Sequence, residues 1–286
     1  MASMRDIKRR KQSISSTQQI TKAMKLVSTV KLQKAKTRAE QTDPYFNYMY
    51  KTVSSMLAKS GSINHPYLNP GVSDRKAVVV ITSNRGLAGG YNNNVIKLIT
   101  NNEDFNKEEL DIYAIGNKGV EALESKGYHI VENASEIIEN PTYTDAAALC
   151  QKVLASFLAG EIGEIYLAYT HFKNTVSQIP KLMQLLPVAF DPDELEAAPD
   201  HVLMNYEPNE EEALNLIIPK YVTSIFYGAL VEAYASENGA RMQAMDSATS
   251  NAEEMIDDLT LKYNRARQGS ITQELTEIIA GANAIS

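Results

Sequence analysis

The chain has 286 residues, 44% of them hydrophobic and 22% charged, and this balance excludes a disordered polymer and indicates a folded protein of one or two domains. Its single cysteine, Cys150, excludes an internal disulfide bond and a cysteine-based metal cluster. The net charge is −7, yet residues 1–40 hold eleven Lys or Arg and only two acidic residues. The N-terminal segment is therefore strongly basic, and the rest of the chain is strongly acidic.

A long N-terminal helix is the first predicted element. Residues 1–43 contain neither Gly nor Pro, and the helical pattern can continue past Asp43-Pro44 to end near Gly61. Apolar residues recur in it at helical intervals, namely Ile7, Ile14, Ile20, Met24 and Val27. The basic surplus on this helix indicates either an acidic partner or a solvated helix face.

The middle of the chain, residues 74–205, predicts an α/β domain. Strands are indicated by runs rich in β-branched residues at 76–83, 111–116, 128–132 and 164–172. Helical patterns lie between them at 90–101, 117–126 and 144–160. Strands that alternate with helices imply a mostly parallel sheet. Residues 176–188 are expected to add a strand pair at a sheet edge, because Pro180 and Pro187 cannot donate to a ladder.

A second long helix is predicted at the C-terminal end, within residues 208–286. From Lys220 onwards there is no proline, and Ala, Met, Leu and Glu dominate. Two offset seven-residue series indicate a coiled-coil seam, the first being Met245, Ala252, Leu259 and Ala266 and the second Ala248, Met255 and Lys262. The small side chains of this seam let two helices approach closely.

The lengths of the two terminal helices bound the architecture. With the first taken as residues 1–60, each helix measures about 80 Å or more at 1.5 Å per residue, whereas a compact chain of this size is about 50 Å across. The helices are therefore expected to project and to pack on each other. The expected fold class is α+β, with a stalk built from both chain ends and a central α/β domain.

The Gly-rich segment after the first strand, SNRGLAGGYNNN, is the strongest candidate for chemistry. Such a turn can cradle a phosphate at the start of a helix, but no Lys-Ser/Thr follows its glycines at the P-loop spacing. A nucleotide-dependent enzyme that uses the central sheet stays an alternative. The four histidines are isolated and no carboxylate pair stands out, so no catalytic residue, metal site or cofactor is expected.

Two further partner classes are disfavoured. A nucleic-acid adaptor built on the basic helix is an alternative, but the first 44 positions contain no aromatic residue for base stacking and the pI is near 5.3. We therefore expect no nucleic-acid partner. No apolar run approaches the roughly 20 residues that cross a bilayer, so we expect no direct membrane insertion.

Three segments together resemble the γ subunit of F-type ATP synthases of the bacterial type. They are RDIKRRKQSISSTQQITKAMKLVSTVKLQKAK at the start, the turn SNRGLAGGYN, and the C-terminal run that contains ITQELTEIIAGANA. The resemblance implies an antiparallel coiled coil of the terminal helices and a non-catalytic rotor shaft. That shaft would rotate inside a hexamer of α and β subunits and couple ion flow through the membrane ring to ATP synthesis or hydrolysis. Lys11 stands where the family often has an apolar residue.

The resemblance also implies partners, a location and contact residues. The partners are the α and β subunits, the ε subunit and the ring of c subunits, and the complex lies peripherally at the cytoplasmic face of the cell membrane. Three residue pairs carry these contacts: Arg267 and Gln268 for a β catch loop, Met24 and Lys25 for an acidic β segment, and Tyr206 and Glu207 for the foot near the c ring and ε.

Overall fold

A single five-stranded sheet lies in the part of the chain that the structure, a computed structural model, describes: residues 4–59, 65–188 and 209–285. Its strands are β1 (Lys76–Ile81), β2 (Leu110–Ile115), β3 (His129–Asn133), β4 (Glu164–Phe172) and β5 (Gln178–Leu186). The spatial order is β3-β2-β1-β4-β5. The first four strands are parallel, and β5 is antiparallel to β4. The predicted mostly parallel sheet is confirmed.

The edge position predicted from Pro180 is confirmed for β5, but the expected strand pair is wrong. Residues 178–186 form one strand that lies along the whole of β4, with Gln178 opposite Phe172 and Leu186 opposite Ile165. The continuous pairing explains the difference, because a hairpin within this segment would leave β4 without its antiparallel neighbour.

Both faces of β1 are buried, which explains its β-branched run. Val79 and Ile81 join a core cluster with α4 (Tyr143–Leu158), which follows a 3₁₀ turn at Ser135–Glu139. Val78 and Val80 face the other way and pack with residues of α2 (Tyr91–Thr100) and α3 (Asn117–Glu124). Alternate residues of a strand point to opposite faces, so helices cover the sheet on both sides.

Two long helices, α1 (Met4–Lys59) and α5 (Glu210–Ile285), complete the described chain and confirm both helix predictions. Pro44 and Pro219 lie inside them without ending them. The chain divides into two units. A smaller unit comprises Met1–Ser28 and Met242–Ser286, and a larger unit comprises Thr29–Arg241.

In the larger unit, the two long helices contribute to the same core as one face of the sheet. Val53 and Met56 of α1 are buried in one cluster with Leu214 and Ile218 of α5 and with α4 residues. Burial of such side chains contributes about 1.5–3 kcal/mol each. The long helices are therefore part of the larger unit's core.

In the smaller unit, the two helices pair in opposite directions. The hydroxyl groups of Thr21 on α1 and Thr249 on α5 lie 2.7 Å apart. The Lys25 ammonium, four residues after Thr21, lies 2.5 Å from Asp246, three residues before Thr249. Numbers that rise on one helix while they fall on the other define an antiparallel pair. The predicted antiparallel coiled coil is thus confirmed.

The predicted seam on α5 is half right. Met245, Ala252 and Leu259 are buried as expected, but Met255 is 55% exposed and Lys262 also points to solvent. The second packed line consists of residues one position later, Thr249, Ile256 and Tyr263. The sequence predicts that the second line of seam residues lies three positions after the first, whereas in the structure it lies four positions after it. Residues three or four positions apart both lie on one helix face, so the spacing alone does not distinguish the two.

On α1 the apolar pattern predicts the packed face only in part, since Ile7, Ile14 and Met24 are partly buried but two other positions are not. Ile20 and Val27 are 60% and 57% exposed, whereas their neighbours Thr21 and Ser28 are buried. Thr21 continues the seven-residue line of Ile7 and Ile14, which are partly buried, and Lys11 is partly buried as well. The seam therefore combines apolar side chains with small polar ones, while Ile20 and Val27 face outward.

The composition of α5 meets the length and hydropathy test for a membrane span. Its most apolar 18-residue stretch is long and apolar enough to cross a membrane, but 56% of that stretch is buried inside the protein. A helix that packs in a protein core meets the same test, and the burial of Leu214, Ile218 and Phe226 is of that kind.

Candidate functional sites on the Gly-rich turn and the long helices

The Gly-rich turn, residues 83–90, connects β1 to α2 and is held by its own polar groups. The Ser83 N–H donates to Asn92 Oδ1 at 2.9 Å, and Ser83 Oγ donates to the Arg85 carbonyl at 2.8 Å. Gly89 has a φ of 57°, in the left-handed region that glycine adopts without strain. Leu87 also has a positive φ, of 64°, and its side chain is exposed. The turn thus has one defined backbone conformation.

The carboxyl ends of β1 and β2 approach each other closely beside this turn. Thr82 Oγ1 lies 3.0 Å from the Gly116 carbonyl and accepts from the Gly119 N–H at 2.9 Å. A Cβ atom at Gly116 would lie 2.2 Å from the Thr82 carbonyl oxygen, and Gly116 has a φ of 98°. Only glycine fits this approach.

Helix α5 lies against the carboxyl ends of β1 and β4. Arg241 Nη2 donates to the carbonyl oxygens of Arg85 at 3.0 Å and Gly86 at 3.3 Å. The Tyr91 hydroxyl donates to the Ala233 carbonyl at 3.2 Å, in a fully buried position. Ser236 Oγ donates to the Thr170 carbonyl of β4 at 3.0 Å. Four hydrogen bonds therefore join one short stretch of α5 to the Gly-rich turn, to α2 and to β4.

These contacts argue against a phosphate site. A phosphate cradle presents N–H groups to an anion, whereas this turn presents the carbonyl oxygens of Arg85 and Gly86 to a guanidinium. In doubly wound sheets, ligands bind outside the carboxyl ends of the strands where the strand order reverses. Here that position, between β1 and β4, is covered by α5. The geometry does not support the nucleotide-dependent enzyme.

A buried ion pair accompanies the turn contacts. Arg241 Nη1 donates to Glu237 Oε1 at 2.6 Å, and the two side chains are only 11% and 10% exposed. Burial raises the pKa of the Glu237 carboxyl, and the Arg241 guanidinium opposes that rise. Burial also raises the pKa of the Tyr91 hydroxyl well above its ordinary value. Removal of one partner would leave a buried charge unpaired, which typically costs about 3–5 kcal/mol.

The histidines of the described chain serve packing and surface contacts. Burial lowers the pKa of His65, whose imidazole lies against the ring of Tyr67. His129 Nδ1 lies 3.0 Å from Asp111, and His171 Nδ1 lies 2.8 Å from Glu232. Within residues 4–59, 65–188 and 209–285, no group of three or more His, Cys, Asp or Glu side chains could hold a metal ion.

The predicted contact residues lie far apart along the smaller unit. Met24 and Lys25 are partly buried, and the Lys25 ammonium pairs with Asp246. Arg267 and Gln268 are exposed on α5, more than 20 residues beyond Asp246. At 1.5 Å per residue that separation is about 30 Å, so the two predicted pairs are too far apart to bind one loop of a partner. Tyr206 and Glu207 lie outside the described residues.

Exposed apolar side chains are a second feature of the smaller unit. Ile20, Leu26 and Val27 on α1 are each more than half exposed. On α5 every residue from 271 to 283 is exposed, and the large apolar ones are Ile271, Leu275, Ile278 and Ile279. Large exposed apolar surfaces mark interaction sites.

Sequence reasoning missed the Glu237–Arg241 pair and its contact with the turn. Arg241 and Arg85 are 156 positions apart, so no local pattern connects them. The available signal was the i, i+4 spacing of two opposite charges in a helix stretch that is otherwise uncharged, AYASENGARMQAM. Charges in such a stretch are expected to be buried and paired.

A chain with paired long helices, exposed apolar helix surfaces and a sheet domain covered by its own helix defines a class, the structural subunit of a larger assembly. The model of the ATP synthase family matches residues 3–285. The chain is 66% identical to the ATP synthase gamma chain of Lachnoclostridium phytofermentans over an alignment of 292 residues that covers both chains completely. It is 43% identical to that of Alkaliphilus metalliredigens, over 99% of this chain and 98% of the relative. The chain therefore belongs to the gamma-chain family of ATP synthases.

Solved structures have the same fold. A chain in the structure of the Tetrahymena thermophila mitochondrial ATP synthase, central stalk and c-ring, is 27% identical with a TM-score of 0.57, over 80% of this chain and 99% of that one. A chain of the Euglena gracilis mitochondrial ATP synthase is 20% identical with a TM-score of 0.72, over 99% of this chain and 94% of that one. Family membership makes this chain a non-catalytic central-stalk subunit of the membrane-associated ATP synthase complex.

Proposed function

We propose that this chain rotates inside a hexamer of alternating α and β subunits and couples ion flow through a ring of c subunits to ATP synthesis or hydrolysis. One observation carries the proposal: the terminal helices pair antiparallel in the smaller unit and leave apolar side chains exposed, among them Ile20, Val27 and Ile278. A surrounding collar of subunits would cover such side chains and gain about 25 cal/mol for each Å² buried.

The coupling follows from asymmetry. A single shaft made of two different helices cannot contact three β subunits in the same way, so each β subunit is biased towards a different conformation and nucleotide affinity. By linkage, nucleotide binding and release bias the angle of the shaft in return. Rotation by thirds of a turn then connects distant catalytic sites on β to the ring in the membrane.

Two contact regions on the smaller unit fit this arrangement. The exposed Arg267 and Gln268 would bind a catch loop of β, where the guanidinium would give directional, charge-assisted hydrogen bonds. Met24 and Lys25 would face an acidic β segment, which agrees with the basic surplus of residues 1–40. Tyr206 and Glu207 are assigned to the foot near ε and the c ring.

The location and the functional division of the chain are part of the same proposal. The complex would lie peripherally at the cytoplasmic face of the cell membrane, with the chain in contact with ε and the c ring. Residues 1–60 and 208–286 would form the stalk, and residues 74–205 the central domain. No nucleic acid and no direct membrane insertion enter this arrangement.

Reconstitution tests the proposal. The purified chain should show no ATPase activity alone, and its addition to α and β subunits should give a hexamer whose ATP turnover drives rotation of the chain. Affinity capture of the chain should recover α, β, ε and c subunits. Stoichiometric ATP binding by the chain alone, or capture of nucleic acid with steep salt dependence, would contradict it.

A matched pair of variants tests the β contact. Arg267→Ala should lower the ATP turnover of the assembled hexamer by about tenfold, as expected for a lost charge-assisted hydrogen bond, and should also lower its torque. Arg265→Ala is the control, because Arg265 is exposed on the same helix but lies about 200° around its axis. Equal turnover and torque in both variants would show that Arg267 does not contact the β subunit.

A further inference from the structure

We propose that Arg241 is a positioning residue that fixes the orientation of α5 on the sheet domain by holding Glu237 and the Gly-rich turn together. The group formed by Glu237, Arg241 and the carbonyls of Arg85 and Gly86 is called the turn clamp. The functional part of this inference rests on the proposed rotary function.

The geometry of the turn clamp requires a guanidinium. Nη1 of Arg241 donates to the Glu237 carboxylate at 2.6 Å, while Nη2 donates to the Arg85 and Gly86 carbonyls at 3.0 and 3.3 Å. A planar fork with donors on both branches satisfies these two directions at once. A lysine ammonium keeps the charge, but as a single point it cannot span the carboxylate and the turn.

The turn is shaped to accept this contact. Ser83 Oγ also donates to the Arg85 carbonyl, at 2.8 Å, and is itself held by Asn92. The Arg85 carbonyl is therefore oriented by β1 and α2 before the guanidinium meets it. On the other side, Glu237 is buried and fixes the second branch. Both ends of the turn clamp are thus preorganised.

Directional hydrogen bonds fix the position of α5 in a way that its apolar packing cannot. Buried side chains such as Phe226 and Leu230 hold the helix on the domain, but hydrophobic contact is non-directional and lets a helix roll or slide. The hydrogen bonds of Arg241, Tyr91 and Ser236 act within residues 233–241 and fix both the rotation and the translation of the helix. Arg241 is the last residue of the larger unit on this helix.

Arg241→Lys and a double variant test the turn clamp in the full chain and in the assembled complex. Arg241→Lys should speed amide hydrogen exchange at the two ends of the turn, where the Ser83 N–H donates to Asn92 and the Tyr91 N–H donates to the Ala88 carbonyl, by about tenfold, as expected for the loss of a charge-assisted hydrogen bond. In vesicles that carry the whole complex, the number of ions pumped per ATP hydrolysed should fall. Arg265→Lys, an exposed position on the same helix, should change neither quantity.

The double variant Glu237→Leu/Arg241→Met separates positioning from stability. Replacement of a buried ion pair by apolar residues of similar size commonly preserves stability, so its melting temperature should match that of the wild type. Without the directional bonds, however, turn exchange should stay fast and the pumping ratio low. Wild-type exchange and pumping in this variant, or in Arg241→Lys, would overturn the positioning role. Failure of the wild-type chain to rotate in the hexamer would instead overturn the proposed function.

Discussion

The hydroxyl groups of Thr21 and Thr249 share a hydrogen bond of 2.7 Å between the two helices of the smaller unit. Each hydroxyl also lies within reach of a carbonyl on its own helix, Gln18 for Thr21 and Met245 for Thr249. One hydroxyl donates across the seam while the other donates to its own helix. The pair is therefore fully satisfied in a position where apolar residues were expected.

Replacement of the two threonines should be strongly non-additive. Thr21→Val or Thr249→Val alone removes the same hydrogen bond and should lower the free energy of unfolding by about 1 kcal/mol. The double variant should lose no more than either single variant, because it replaces both partners by apolar groups of the same shape. Thermal unfolding of the four chains measures this cycle, with the exposed Thr17→Val as control. Additive losses would show that the bond contributes nothing.

The seam of α5 should be sensitive at the buried line only. Leu259→Ala removes a side chain that is 8% exposed and should lower the free energy of unfolding by about 2–3 kcal/mol. Met255→Ala, one turn earlier and 55% exposed, should change it by less than about 0.5 kcal/mol. Urea denaturation followed by circular dichroism compares the two. Equal losses would contradict the i, i+4 seam and favour the i, i+3 seam that the sequence predicts.

The long helices and the strands were predictable because their signals are local. A long segment without Gly and with one Pro gives α1, a segment dominated by Ala, Met, Leu and Glu gives α5, and the run KAVVVI gives β1. The packed face of α1 was not predictable in this way. Hydrophobicity points to Ile20 and Val27, but these face outward and Thr21 and Ser28 are buried. A residue pattern does not tell whether its apolar face meets the chain itself or another subunit.

The contact between the Gly-rich turn and α5 was beyond sequence reasoning for a different reason. Glycines in a turn indicate close backbone approach without naming the approaching group. Here the group is the Arg241 guanidinium, which comes from a helix far away in the sequence. The same glycine pattern serves phosphate cradles, and only the direction of the carbonyls distinguishes the two uses.

The ion pair between Lys25 and Asp246 should contribute little to stability. Its side chains are 39% and 57% exposed, and exposed pairs contribute about 0–1 kcal/mol and are screened by salt. Lys25→Ala should therefore lower the melting temperature of the isolated chain slightly at low salt and not at about 0.5 M salt. The exposed Lys22→Ala is the control. A large loss of stability that persists at high salt would show that Lys25 acts within the chain rather than towards a partner.

The Asp111 carboxylate should give a pH-dependent contribution to stability. Burial opposes its ionisation, but the hydrogen bonds from Arg75 and the contact with His129 outweigh burial and lower its pKa below 3.8. A lowered pKa in the folded state stabilises the protein above the unfolded pKa and is lost as the pH falls through the folded value.

The Asp111→Asn variant tests this sign. At pH 7 it should lower the free energy of unfolding by about 1–2 kcal/mol, since Arg75 is partly exposed and the pair is screened. The difference from the wild type should stay constant down to about pH 5 and shrink below pH 3.8. Urea denaturation at several pH values measures it, with the exposed Glu103→Gln as control. A difference that grows in acid would contradict the lowered pKa.

The thiol of Cys150 should be nearly inert in the folded chain. Cys150 lies on α4 and is buried in the core cluster that α4 forms with the sheet and α5. Burial raises the pKa of its thiol to about 11, and a hydrogen bond with Thr223 has a smaller, opposite effect. At pH 8 the thiolate fraction is then at least about a hundredfold below that of a free cysteine, and the thiolate is the reactive form. Alkylation by iodoacetamide should be slower than in guanidinium chloride by at least that factor.

Because Cys150 is the single cysteine of the chain, the labelling rate reports on one site. It measures how often the contact between α4 and α5 opens, since reagent must reach a side chain that is 5% exposed. Phe226→Ala, which removes a fully buried α5 side chain from the same cluster, should raise the folded-state rate at least about tenfold. Exposed Leu216→Ala on the same helix should leave it unchanged. Labelling of the wild type at the denatured rate would show that α5 does not cover this face of the domain.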